Sequence, residues 1–183
     1  MTIKEKDEVS WYEQYIKDHY TDKNSRRDNI LSNKEVLFQY LAKKKCFINS
    51  FSKIDLNQSD SLILDIGCGS CSDLINLVTL GFNQENLFGI DIEKSNIEFC
   101  KKNYPLLNLS SQDASKLNFP DDFFDLTFES TLFVQLTCED LSQRIANEML
   151  RITKKNGHLI IFDWRYGKIN NPKFSACNKK RIK

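Results

Sequence analysis

The stretch LILDIGCGSC, residues 62–71, decides the fold class of this chain. It begins as a short apolar run and ends in a turn that contains Gly67 and Gly69. An apolar run of this length, bounded by glycine, is typical of a strand that is buried on both faces in a parallel sheet. The two glycines let the backbone turn sharply and approach a bound molecule closely, because they carry no Cβ. The stretch therefore predicts a strand followed by a ligand-binding turn.

Strand-like and helix-like segments alternate along the rest of the chain. Beside residues 61–66, apolar runs predict strands at 87–92, 107–111, 124–128 and 158–162. Helical spacing of apolar residues predicts helices at 8–20, from about residue 32, and at 72–80, 93–103 and 141–152. This alternation predicts an α/β fold: a doubly wound, mostly parallel Rossmann-like sheet with helices on both faces. Ligands of such folds bind at the carboxyl ends of the strands.

Three local features of the predicted helices follow from the side chains. The second helix has one face formed by Val36, Leu37, Tyr40 and Leu41. Ser72 or Asp73 is suited to cap the third helix. Asn156-Gly157 is expected to end the last helix, after a run of basic residues.

Composition excludes several classes of function. The chain has 183 residues, 40% hydrophobic and 28% charged, which is typical of one soluble globular domain. Its formal net charge of +1 gives no overall attraction to a polyanion, so a nucleic-acid partner is not expected. No apolar run reaches the roughly 20 residues needed to cross a bilayer, and the N-terminal residues are too charged for a secretory signal. We therefore predict a cytoplasmic protein with no membrane partner.

The pair Cys68 and Cys71 forms a C-x-x-C pattern that could serve zinc binding or redox chemistry. Structural zinc normally needs a second pair of ligands, and no other cysteine or histidine lies nearby in the sequence. We therefore predict no metal site, while a redox role stays open.

Acidic residues end the first three predicted strands. Asp65 stands two residues before Gly67, where a carboxylate would repel a pyrophosphate but suit a positively charged ligand. Asp91 follows Gly67 by 91 − 67 = 24 residues, near the ~20 expected for a carboxylate that accepts ribose hydroxyls. Asp113 follows the third strand and could accept a hydrogen bond from an adenine amine. Ser72 stands where a dinucleotide fingerprint has its third glycine, which disfavours a nicotinamide-dependent oxidoreductase.

Four stretches together resemble successive motifs of the class I S-adenosylmethionine-dependent methyltransferases, of the small-molecule, type 11-like kind. They are LDIGCGS (64–70), GIDIE (89–93), QDASKLNFPDDFFDLTFES (112–130) and EMLRITKKNGHLIIFDW (148–164). The resemblance implies that S-adenosylmethionine is the cofactor, with S-adenosylhomocysteine as product. It implies that the cofactor residues are Asp65, Gly67, Cys68, Gly69, Asp91, Ile92, Asp113, Ala114, Glu129 and Ser130. Cys71 departs from the family pattern, which often has a glycine at that position.

Several residues are candidates for binding or activating the methyl acceptor. Asp163 and Glu129 are candidate general bases, and Arg165 is a candidate substrate contact. Tyr15 and Tyr20 are further candidates for substrate binding, although aromatic residues at helical spacing more often pack in a core. The segment after the fifth strand loosely resembles enzymes that methylate small molecules such as sugar or polysaccharide-precursor hydroxyls. An inactive or non-catalytic S-adenosylmethionine-binding module is the alternative.

The predicted organisation has three parts. Residues 1–60 form an N-terminal helical cap or lid, residues 61–167 form the cofactor-binding core, and residues 168–183 form a basic tail. The family usually continues after the fifth strand with a helix and a β-hairpin, for which the tail is too short. Without that hairpin the fifth strand would be an exposed edge, so we expect a homodimer or poor solubility.

Overall fold

A computed structural model describes residue 31, residues 33–165 and residue 177. The chain divides into two compact units, Met1–Asp55 and Leu56–Lys183. The predicted helix at 8–20, the lid residues Tyr15 and Tyr20, and most of the basic tail lie outside the described residues.

The first unit contains helix α1, Lys34–Phe51. Asn33 caps it, because its side-chain oxygen accepts hydrogen bonds from the backbone N–H groups of residues 35 and 36. The buried residues of α1 are Phe47 and Phe51, whose rings lie 4.5 Å apart. The predicted face is therefore wrong in part, since Tyr40 and Leu41 are exposed. Burial of large aromatic rings removes much apolar area from water, and in α1 the buried rings are those of the two phenylalanines near its end.

The second unit is built on a five-stranded parallel sheet with strand order β3-β2-β1-β4-β5. The strands are β1 Ile63–Ile66, β2 Leu87–Asp91, β3 Asn108–Ser111, β4 Phe124–Ser130 and β5 Thr153–Phe162. All four residues of β1 are buried, as the apolar run predicts for a central strand. The order reverses at β1, so the chain runs outward to β3 and then returns to β4 on the other side.

Three helices connect the strands: α2 Ser72–Thr79, α3 Lys94–Asn103 and α4 Glu139–Ile152. The apolar face of α4, with Ile145 and Met149, packs into a core that includes Ile66, Ile90 and Phe133. The α/β prediction and the doubly wound parallel sheet are confirmed.

Two predicted boundaries are corrected by the structure. Asn156-Gly157 does not end a helix: α4 gives way directly to β5 at Thr153, and Gly157 lies within the strand. A Cβ on Gly157 would stand 2.8 Å from the carbonyl oxygen of Asp125, where the β4–β5 register shifts. The absence of a side chain at Gly157 therefore allows β4 and β5 to approach closely at this point. At the start of α2, Cys71 takes the cap position that Ser72 or Asp73 was expected to take.

Among the described residues, no helix combines the length and the apolar character needed to cross a membrane.

Candidate functional site

The carboxyl ends of neighbouring strands bring most of the predicted site residues to one edge of the sheet. In the sheet register, Ile66 at the end of β1 pairs with Ile90 on one side and with Glu129 on the other. Asp91 ends β2, and Asp163 follows β5 directly. Asp65 precedes Ile66 in β1, so four strands bring acidic residues to a single edge of the sheet.

The turn after β1 has the conformation that its glycines predict. Gly67 and Gly69 have positive φ angles of 76° and 51°. The backbone N–H groups of Gly67 and Cys68 donate to the carbonyl oxygen of Ile90 at 2.8 and 2.9 Å, which ties the turn to β2. A Cβ built on Gly69 would meet no atom within 4 Å, so one side of the turn is open. A Cβ on Gly67 would stand 3.4 Å from the side chain of Leu132.

Asp91 holds this turn from the neighbouring strand. Its Oδ2 accepts from the Gly69 N–H at 2.8 Å, and its Oδ1 accepts from the Glu93 N–H at 2.9 Å. Burial raises the pKa of this carboxyl, and the hydrogen bonds from Glu93 and Gly69 oppose that increase. The side chain of Asn96 is a third hydrogen-bond partner of this carboxyl. A carboxylate has about four lone-pair sites, so three donors leave room for a ligand hydroxyl.

Three cysteine thiols lie in or next to the glycine turn. The sulfur atoms of Cys68 and Cys71 are 3.9 Å apart, and the Cys100 thiol donates to the carbonyl oxygen of Gly69 at 3.4 Å. All three side chains are buried. Within the part of the chain that the structure describes, no group of three His, Cys, Asp or Glu side chains could hold a metal ion.

The segment after β3 approaches the same edge. The backbone N–H of Gln112 donates to the carbonyl oxygen of Asp91 at 3.1 Å. Asp113 is exposed, and its Oδ1 accepts from the N–H and from the hydroxyl of Ser115, both at 2.8 Å. This contact stabilises a local turn, while Asp113 Oδ2 is not used in it. Ala114 is half-buried, and Ile92 is exposed.

Glu129 is completely buried at the end of β4. Its Oε2 accepts from the backbone N–H of Leu132 at 2.7 Å, whereas its Oε1 has no hydrogen-bond partner among the described residues. Burial, and then the nearby negative charge of Asp163, raise the pKa of Glu129 to about 8. The hydroxyl oxygen of Ser130 is a second buried atom that lacks a partner within the described part of the chain.

Asp163 is half-buried, and backbone groups engage both of its oxygens. Oδ2 accepts from the N–H of Val134 and Oδ1 accepts from the N–H of Trp164, each at 2.6 Å. Trp164 is 58% exposed, and Arg165 is exposed beside it. These residues continue the edge on the β5 side.

The structure adds residues that sequence reasoning missed. Leu132 packs against Gly67, and Cys100 supports Gly69 from α3. Neither contact has a signal in the sequence, because a leucine after a strand and a cysteine in a helix are ordinary core residues.

Comparisons with known proteins agree on one family. Residues 57–180 match a family model described as a methyltransferase domain. A demethylmenaquinone methyltransferase of Streptomyces avermitilis is 28% identical over 104 residues, which are 57% of this chain and 42% of that protein.

Solved structures give the same picture. A crystal structure described as an S-adenosylmethionine-dependent methyltransferase of Methanosarcina mazei superposes with a TM-score of 0.52 at 27% identity, over 58% of this chain and 53% of that one. A protein of Pyrococcus horikoshii OT3 superposes with a TM-score of 0.59 at 20% identity, over 83% and 64% of the two chains, and shares the fold. The chain thus spans about half the length of the first relatives it matches.

Proposed function

We propose that this chain, which belongs to the methyltransferase domain family, transfers the methyl group of S-adenosylmethionine to a small-molecule acceptor. One observation carries the proposal: the open glycine turn at Gly69 is hydrogen-bonded to Asp91 of the next strand. At the same edge, Asp65 and Glu129 are the penultimate residues of β1 and β4. Family membership supports S-adenosylmethionine as the cofactor.

The residues at this edge fit that cofactor chemically. S-adenosylmethionine carries an ammonium and a sulfonium group and no phosphate, so nearby carboxylates attract it. Asp65 is 2% exposed at the end of β1, and Asp91 is also buried. The open space over Gly69 and the buried Ser130 hydroxyl leave room and hydrogen-bonding capacity for a polar ligand. Two buried carboxylates beside the turn would disfavour a dinucleotide, whose pyrophosphate is negative.

We propose that the residues divide the cofactor between them. Asp65, Gly67, Cys68 and Gly69 surround its methionine part, Asp91 and Ile92 hold the ribose, and Asp113 and Ala114 contact the adenine. Glu129 and Ser130 line the region of its amino group. The place of Asp91 beside the open turn and the exposure of Asp113 support these roles.

On the acceptor side, we propose a mechanism that depends chiefly on positioning. Methyl transfer is an in-line displacement, so holding the two reactants aligned supplies much of the rate enhancement. Asp163, next to the exposed Trp164, is the better placed of the two candidate bases, and it would take a proton from a sugar or other hydroxyl. Burial of Glu129 favours cofactor lining over direct proton transfer. Arg165 would contact the acceptor, and substrate binding by Tyr15 and Tyr20 stays a prediction.

One observation favours a second candidate function, a non-catalytic S-adenosylmethionine-binding module. Both candidate bases already stabilise the local backbone, because Glu129 and Asp163 accept hydrogen bonds from backbone N–H groups. A protein that only binds the cofactor would retain those contacts without turnover.

Calorimetric titration with S-adenosylmethionine, S-adenosylhomocysteine and NAD tests the cofactor proposal. We expect the first two to bind and NAD not to bind. Asp91→Ala should weaken binding at least tenfold, while Asp55→Ala, at an exposed site, serves as the matched control. Transfer of labelled methyl to a panel of sugar, quinol and amine acceptors then separates enzyme from binding module. Failure of a folded protein to bind either ligand would overturn both proposals.

We also propose that the chain associates as a homodimer along β5. This strand ends the described sheet order, and Ile161 and Trp164 beside its end are exposed. Light scattering that shows a monodisperse monomer at micromolar concentration would contradict this.

A further inference from the structure

Two acidic side chains fasten the short connection that follows β4, residues 131–135. Glu129 Oε2 binds the N–H of Leu132, and Asp163 Oδ2 binds the N–H of Val134. The carboxyls thus come from adjacent strands and hold alternate residues of one segment. Hydrogen bonds to ionised groups are the stronger ones in proteins, so an ionised Asp163 makes the stronger of the two contacts.

The connection needs such an attachment. Thr131 has a positive φ of 65°, a conformation that residues other than glycine rarely adopt. Leu132 lies 3.4 Å from the position of a Cβ on Gly67, so the connection forms a wall of the glycine turn. Displacement of Leu132 would therefore change the shape of the cofactor site.

Within residues 33–165, the charge that acts on Glu129 is that of Asp163. The Glu129 side chain lies between Ile66 of β1 and Ile161 of β5, its partners in the sheet register. Asp65 precedes Ile66, so its side chain points to the other face of the sheet. The facing acid from β5 is Asp163.

Among the described residues, the other elements on this side offer Glu129 no counter-charge. Helix α4 contributes Ile145 and Met149 to the core shared with Ile66, and residues 131–135 contain no titratable side chain. Two carboxyls that face each other in a buried place cannot both ionise at low cost.

We propose that Glu129 and Asp163 form a clamp that positions residues 131–135 against the glycine turn while only one of the two carboxyls is ionised. The inference rests on the proposed function, because it concerns the same cofactor site. With Glu129 protonated on Oε1, Oε2 still accepts from Leu132 and the ionised Asp163 still accepts from Val134. Ionisation of Glu129 places two negative charges side by side. The two carboxyls then separate, and residues 131–135 move relative to the glycine turn. Both groups act here as positioning residues.

Binding of S-adenosylhomocysteine across a pH series tests the clamp. This ligand lacks the sulfonium charge, so its affinity depends more on the shape of the site than on the charge of the site. If only the singly ionised clamp binds, and Glu129 titrates near pH 8, affinity should fall about tenfold between pH 7 and pH 9. Glu129→Gln keeps an oxygen acceptor without a titration, so its affinity, whatever its value at pH 7, should be flat across the series.

Two further variants sharpen the test. Asp163→Asn removes the facing charge, so ionisation of Glu129 no longer places two charges side by side, and the decline in affinity with pH should be much smaller than in wild type. Glu139→Gln, on an exposed residue at the start of α4, is the matched control and should follow the wild type. Circular dichroism at each pH confirms that the proteins remain folded.

The outcomes separate the clamp from the function on which it rests. Binding that declines equally in wild type and Glu129→Gln would overturn the clamp and leave the methyltransferase proposal intact. Absence of binding by the folded wild type at any pH would overturn both.

Discussion

Glu129 should make the stability of this protein depend on pH. Burial, followed by the charge of Asp163, raises the pKa of Glu129 from 4.5 to about 8. The folded state therefore favours the protonated carboxyl, and the unfolded chain releases that proton above pH 4.5. The stability that this group contributes is full below about pH 4.5 and is lost progressively as the pH rises toward 8.

The size of the effect follows from the two pKa values. Each pH unit between them corresponds to about 1.4 kcal/mol, so the whole interval corresponds to about 5 kcal/mol. Small domains have unfolding free energies of about 5–15 kcal/mol, so even half of this change would be measurable. Asp125 and Glu148, whose pKa values are lowered, contribute the opposite trend, because their stabilising charges appear as pH rises.

Comparison with Glu129→Gln isolates the contribution of Glu129. The variant keeps Asp125 and Glu148, so their trends cancel in the difference between the two proteins. We expect the stability of the variant relative to wild type to increase by about 1.4 kcal/mol for each unit from pH 5 to pH 7. Urea denaturation at pH 5, 6 and 7 measures this, with Glu139→Gln as the matched control. A difference that stays constant within about 0.5 kcal/mol would refute the assignment of a strongly raised pKa to Glu129.

Three other substitutions test the glycine turn and its support. Gly89→Ala would bring a Cβ to 2.8 Å from Leu109 and 2.9 Å from Leu74, so urea denaturation should show a loss of about 1–3 kcal/mol. Gly69→Ala places a Cβ in open space at a positive φ; we expect a loss of only about 1 kcal/mol in stability but a much weaker cofactor affinity by calorimetry. If the loss in binding free energy were no larger than the loss in unfolding free energy, this would count against a ligand beside Gly69. Cys100→Ala removes the thiol that donates to the carbonyl oxygen of Gly69, and it should weaken cofactor binding severalfold. Unchanged calorimetric affinity would show that the thiol has no part in shaping the turn.

The sequence by itself determined the order of strands and helices and the position of the glycine turn. Both depend on local information: apolar runs between glycines, helical spacing, and a turn that needs positive φ angles at Gly67 and Gly69. The place of Asp91 at the edge also followed, because parallel strands end on the same side of a sheet.

Local information misjudged features that depend on what packs nearby. Asn156-Gly157 looks like a helix end in sequence, yet Gly157 lies within β5, where the backbone at Asp125 comes too close for a Cβ. Tyr40 and Leu41 follow helical spacing, but Phe47 and Phe51 are the residues of α1 that become buried.

Only the tertiary structure decided the chemistry on the acceptor side. Glu129 and Asp163 are separated by 34 residues, and each alone is an acid at the end of a strand. Their pairing depends on the β4–β5 register, and the raised pKa depends on complete burial of one of them. A sequence records which groups can ionise, whereas the cost of ionisation is set by the water and the charges that the fold leaves around them.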